Sequence, residues 1–168
     1  MKLQSLFDLY VTELHDLYDT ENQIIKALPK MIEGASSEEL RKAFEEHLDQ
    51  TRLHLNRLED VFDMHSEKPK GESCEGMAGI IKEGRDLLKQ DAVNIVRDAA
   101  LISAAQRVEH YEIAVYGCVR TYAEQLGFDR AARILQQTLG EEEEMDRRLT
   151  SIAQSRINVE AARTTGSI

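Results

Sequence analysis

Apolar residues recur three and four positions apart along four separate stretches of this chain, and that spacing constrains the fold more than any other feature of it. Leu6, Leu9, Leu14, Leu17, Ile24, Leu28 and Ile32 mark a first long helix, with Pro29 expected to kink or end it locally. Gly34 to Ser37 reads as a turn, and Ser37 caps a second helix that carries Leu40, Phe44, Leu58, Val61 and Phe62. The polar stretch from His65 to Ser73 interrupts the pattern and leads into a short helix between Gly79 and Leu88. A third long helix starts near Ala92 and turns Ile95, Leu101, Ile102, Ala105, Val108, Val115, Val119 and Leu126 inward. Gly127 and Phe128 close it, and Asp129 is expected to cap a fourth, with Ala132, Leu135, Leu139, Leu149 and Ile152 inward. Residues 1–158 thus read as a single bundle domain and 159–168 as a polar tail.

Two long helices joined by a short turn are antiparallel neighbours, so the plan is hairpin, long crossover with a short helix, hairpin. Among helical bundles, one long connection between the second and third helices is the ferritin-like arrangement. The expected fold is therefore an all-α, ferritin-like four-helix bundle. A length of 168 residues suits one domain, and only two prolines and nine glycines interrupt the helix formers. The formal charge of −10 repels phosphate backbones and anionic lipid, which excludes nucleic acid and membrane surfaces as partners and favours cations. Asp8 and Glu13 break the N-terminal segment before an apolar signal core can form, so a cytoplasmic chain is expected. Cys74 and Cys118 lack metal or redox spacing and read as unpaired thiols, Cys118 as core filler.

Each inward stripe is broken near its middle by a residue that does not belong in an apolar core. Glu21 falls between Leu17 and Ile24; His47, Gln50, Thr51 and His54 follow one another inward on the second helix; Glu109 and Glu112 share a face of the third; Glu142 continues the line of Leu135 and Leu139 on the fourth. The breaks match in height. Glu21 lies 14 residues before Ala35 and Gln50 lies 15 after it, while Glu112 lies 16 before Phe128 and Glu142 lies 14 after it. At the helical rise, each hairpin so places a polar pair about 20 Å from its turn. A buried ionised carboxylate is costly unless paired or bound to a cation, and here four converge. Arg57 answers one or two of them; two divalent ions answer all four, with imidazole nitrogen from His54 and a contribution from His47 open.

The segments from Asp16 to Glu21, AFEEHLDQT around His47 and Thr51, RLE at Arg57 to Glu59, RDAALISAAQRVEHYEIAVYG and TLGEEEE resemble the YciE/YciF group of ferritin-like bacterial stress proteins. The resemblance spans nearly the whole chain. It implies a ferritin-like bundle, often a homodimer, with a dinuclear metal site and no settled activity, and its ligands map onto Glu21, Gln50, His54, Glu109, Glu112 and Glu142. Two positions depart from the usual scheme. Gln50 replaces an acid, and Met145 stands where a histidine is usual, with Asp146 as the neighbouring substitute.

Around that set, His47 either ligates or orients a carboxylate as a hydrogen-bonded histidine. Tyr18 and Tyr116, one turn from proposed ligands, either hydrogen-bond them or pack with satisfied hydroxyls. Glu141, Glu143 and Glu144 are expected in solvent, because a helix cannot turn four consecutive residues inward. Two function classes follow. One is a two-ion iron or manganese protein that reacts with oxygen or peroxide, with ferroxidase, peroxidase and catalase-like chemistry all compatible. The other is a metal-free stress or interaction protein whose central acids are structural.

Overall fold

The computed structural model describes residues 3–69 and 73–164, and all of its regular structure is helical. Helix α1 is Leu6–Gly34, α2 Glu38–Met64, α3 Glu75–Leu88, α4 Asn94–Gln125 and α5 Asp129–Ile152. A π-helical turn, Ala153–Ile157, then leads into a last short helix, α6, Asn158–Ala161. The expected tail therefore begins in helical form, and residues 165–168 lie outside the described residues, as do 70–72 of the polar crossover. None of the described helices is long and apolar enough to cross a membrane.

The ends of the helices follow from local chemistry. Ser5 and Ser37 each accept a hydrogen bond from a backbone N–H of the first turn, Asp8 and Leu40 respectively. α4 stops at Gly127, whose φ of 76° no β-carbon residue adopts readily. The paired bonds Phe128 N–H to Ala123 O at 2.8 Å and Gly127 N–H to Glu124 O at 3.1 Å satisfy its last carbonyls. Two helix ends differ from expectation. Of the two outcomes expected at Pro29, a kink or an end, the second does not occur, since α1 runs on to Gly34; the proline faces solvent, where water can hydrate the carbonyl it frees. Asp129 is the first residue of α5 and not its cap, a position taken by Phe128 without a side-chain bond.

Each long helix packs on two others: α1 on α2 and α4, α5 on α2 and α4, with α3 laid across α1 and α4. One apolar core contains Ile24, Leu28, Phe44, Met77, Leu101 and Leu149. A second contains Tyr10, Leu14, Leu58, Phe62, Val119 and Leu135. Between them every long helix has a gap, at residues 20–21, 47–54, 109–112 and 142, so a polar layer divides the hydrophobic interior in two. Cys118, expected as core filler, is exposed, and Cys74 is buried. On α4 the buried positions Tyr116, Val119 and Ala123 define the inner face, and residue 118 points away from it.

Asp98 ties the hairpins together. Buried on α4, its carboxylate accepts from the backbone N–H groups of Ser36 and Ser37, both at 2.8 Å, and from the Ser36 hydroxyl at 3.3 Å. Asp98→Ala leaves the buried Ser37 N–H and the neighbouring Ser36 N–H without this acceptor and is expected to cost roughly 2–4 kcal/mol, on the scale of charged hydrogen bonds and orphaned groups. Urea unfolding reads this directly; a cost below about 0.5 kcal/mol, the surface-substitution range, means the turn does not depend on Asp98.

Candidate metal centre

The polar layer gathers six side chains from four helices: Glu21 from α1, His47 and His54 from α2, Glu109 and Glu112 from α4, and Glu142 from α5. All are buried. They form two overlapping groups. Glu21, His54 and Glu142 make one and His47, Glu109, Glu112 and Glu142 the other, with the donor atoms of each group within 4.8 Å of one another. Oxygens on opposite sides of one octahedral ion stand about 4.2 Å apart at a bond length of about 2.1 Å, so small side-chain movements bring each group to ligand distance. Glu142 belongs to both groups.

The donor atoms are unpartnered. Among the described residues, eleven buried side-chain nitrogen or oxygen atoms have no hydrogen-bond partner, and eight of them belong to these six residues. Both oxygens of Glu112 and both of Glu142 are among the eight. Buried polar groups are normally satisfied, so eight orphans in one layer set this layer apart from the rest of the interior. His54 shows the geometry best. Its Nδ1 lies 2.8 Å from Glu142 Oε1 and 3.6 Å from Glu21 Oε1, yet it is not aligned to hydrogen-bond either oxygen, as befits atoms turned toward a common point. His47 Nε2 stands 3.4 Å from Glu109 Oε1.

The charges are frustrated as they stand. Burial pushes the Glu109 and Glu112 carboxyls well above the ordinary carboxylate range, and the charge on Glu142 pushes them further. Burial raises Glu21 as well, against the pull of His54. Burial would also raise Glu142, but the two imidazoles overrule it and hold this one carboxyl below its ordinary value. For His54, burial works against the proton, yet Glu142 and Glu21 push the pKa up to about 10. His47, answered by less charge, is lowered by burial.

Supporting contacts hold the donors in place. The Tyr116 hydroxyl donates to Glu21 Oε1. His54 Nε2 meets Glu141 Oε2 at 2.8 Å, and Arg57 grips the same carboxylate at 2.7 and 2.9 Å. Burial would raise Glu141, but Arg57 and His54 hold its pKa down at about 2. This carboxylate fixes the His54 ring with Nδ1 facing the site, the arrangement in which a carboxylate orients a metal-binding histidine.

The remaining expected residues lie around this centre. Arg57 faces Glu141 and Thr138 and pairs with none of the four central acids. Tyr18 donates to Glu59 at 3.1 Å, away from the centre. Asp146 is partly exposed and meets Gln106 at 3.0 Å and His110 at 3.3 Å. Gln50 is half-buried, one turn from both His47 and His54. Glu141, expected in solvent, is the functional residue that sequence reasoning missed. A partial signal lay in α2: His54 and Arg57 are three apart on one face, and the half-buried guanidinium calls for an acid opposite without marking which one.

With this geometry in hand, residues 5–162 match a family described as a domain of unknown function, DUF892. The chain belongs to that family. YciF of Escherichia coli strain K12 is 41% identical over 162 residues, 96% of this chain and 98% of the relative. This bears out the resemblance to the YciE/YciF group. The crystal structure of YciF, described as a stress protein, superposes with a TM-score of 0.89 at 42% identity, covering 92% of this chain and 98% of that one. A second relative of known structure, YcfI of Rhodopseudomonas palustris, gives 0.87 at 41% identity over 89% and 96% of the two chains. A two-domain protein of Anabaena variabilis, with DJ-1/ThiJ/PfpI-like and ferritin-like domains, matches 98% of this chain and 41% of its own at a TM-score of 0.64 and 18% identity. That likeness concerns the fold alone, and it sets this DUF892 chain beside ferritin-like helical domains.

Proposed function

We propose that this chain is a ferritin-like four-helix bundle of two hairpins joined by the α3 crossover, and that it binds two divalent ions, iron or manganese, which react with oxygen or peroxide. The observation that carries the reading is the set of eight unpartnered donor atoms on six buried side chains. The donor set fits such ions: four carboxylates and two imidazoles supply the oxygen and nitrogen that iron and manganese accept. His54 and Glu21 hold one ion and His47, Glu109 and Glu112 the other, with Glu142 shared; the amide of Gln50 is a further candidate donor. Once bound there, a pair of redox metals would supply two electrons for reduction of the oxidant. The protein does the rest. Tyr116 fixes Glu21, Glu141 fixes His54, and the two apolar cores keep bulk water from the layer. The family likeness adds a homodimer to the same reading.

The metal-free alternative leans on His54 standing between Glu141 and Glu142 as an imidazolium. It leaves Glu109 and Glu112 unanswered. Anaerobic titration with ferrous or manganous ion, followed calorimetrically, should show two ions per chain, and chelation should lower the melting temperature by several degrees through linkage. Absence of binding for both metals ends the two-ion reading. Glu141→Gln keeps the shape but releases His54 and should weaken one ion by about 10- to 100-fold, the usual cost of losing such a partner. An unchanged affinity would show that His54 needs no such support.

A further inference from the structure

A cavity of about 40 Å³ lies beneath the crossover helix and touches the metal centre. α3 contributes Ile81, Gly84 and Leu88 to its wall, α4 contributes Ala104 and Ala105, α1 contributes Leu28 and Met31, and His47 and Glu109 also line it. The exposed residues Lys30 and Arg85 also line it, so it extends from the surface to the polar layer. Apart from the two site residues and these surface cations its wall is apolar. Interiors are normally packed without such voids, and a larger side chain at position 84 or 104 would fill this one. A Cβ added at Gly84 would meet only the Cβ of Ala104, at 3.5 Å.

We infer that this cavity is a binding site for dioxygen on its way to the metal centre, and that dioxygen, not peroxide, is the oxidant the fold admits. The inference rests on the two-ion reading and names its oxidant. Size restricts the guest to a very small molecule. Polarity then decides among small molecules. Hydrogen peroxide and water each need several hydrogen-bond partners, and among the described lining residues the buried side-chain atoms without a partner, His47 Nε2 and Glu109 Oε2, are ones a bound ion would take. Dioxygen loses no hydrogen bonds on entering an apolar space. α3 is the roof, and its apolar side chains Ile80, Ile81 and Leu88 are only half-buried, so the cover over a guest is thin.

Crystals of the metal-loaded protein pressurised with xenon should show one xenon atom between Gly84, Ala104 and His47. In stopped-flow mixing of the ferrous protein, Gly84→Leu should slow oxidation by dioxygen by about tenfold, an added barrier of about 1.4 kcal/mol, and leave oxidation by hydrogen peroxide within about twofold. Ala104→Leu fills the same space from the other wall and serves if the first variant misfolds. An ordered water in place of xenon, or equal slowing of both oxidants with two ferrous ions still bound, overturns the inference and leaves the two-ion reading standing. Failure of the wild-type protein to bind ferrous ion removes both.

Discussion

Glu142→Ala should weaken both ions together, by at least about 100-fold each, whereas Glu21→Ala should weaken one and leave the other near its original affinity. The asymmetry comes from geometry. Glu142 belongs to both donor groups and has both oxygens unpartnered, while Glu21 belongs to one group and spends one oxygen on Tyr116. If Glu142 serves both ions, its loss would remove a ligand from each and a negative charge that offsets the repulsion between them. Calorimetric titration with manganous ion separates the variants without redox chemistry. If Glu142→Ala keeps one ion at wild-type affinity, the two groups are independent and the shared role of Glu142 is wrong.

Much of this architecture was legible in the sequence because a long helix advertises itself over many turns. The four apolar stripes, the Ser37 cap and the stop at Gly127 needed no partner to be read. The same stripes exposed Glu21, His54, Glu109, Glu112 and Glu142 as intruders, and the fold brings all five together. What the sequence left open depends on how helices face one another. Counting residues from the turn paired Glu21 with Gln50, but the structure brings Glu21 to His54. Side chains tilt toward the N-terminus of their own helix, so on an antiparallel pair the α1 residue leans away from the turn and its α2 partner must lie further along. Asp98 and Glu141 were hidden for a related reason. Each answers groups distant in sequence, and nothing in its own helix marks it. Cys118 misled because a small apolar residue in an apolar helix carries almost no directional information.

The metal-free protein should lose stability as pH rises from about 6 to 8.5, and the metal-loaded protein should gain it. Glu21, Glu109 and Glu112 have raised pKa values in the fold, so above the ordinary carboxylate range the folded chain holds protons that the unfolded chain has released. Each proton so retained lowers folding stability by about 1.4 kcal/mol per pH unit. His54 acts in the same direction: its contribution is complete below its ordinary 6.5 and is lost as pH rises toward about 10. His47 opposes them only below 6.5, where its lowered pKa makes the folded state the poorer proton binder. Glu141 and Glu142, held low, lose their contribution as pH falls below the ordinary carboxylate range. Mildly acidic solution is therefore the optimum for the chelated protein. Bound ions reverse the slope, because they displace those same protons and bind more tightly as pH rises. At this chain length each kcal/mol moves the melting temperature by about 2–4 °C, so scans in chelator and in manganous ion should diverge by many degrees at pH 8.5. Glu112→Gln takes one raised carboxyl out of the balance and should lessen the loss of stability that begins above the ordinary carboxylate range. A chelated protein whose melting temperature stays level or climbs between pH 6 and 8.5 would mean that the central acids are already compensated without metal.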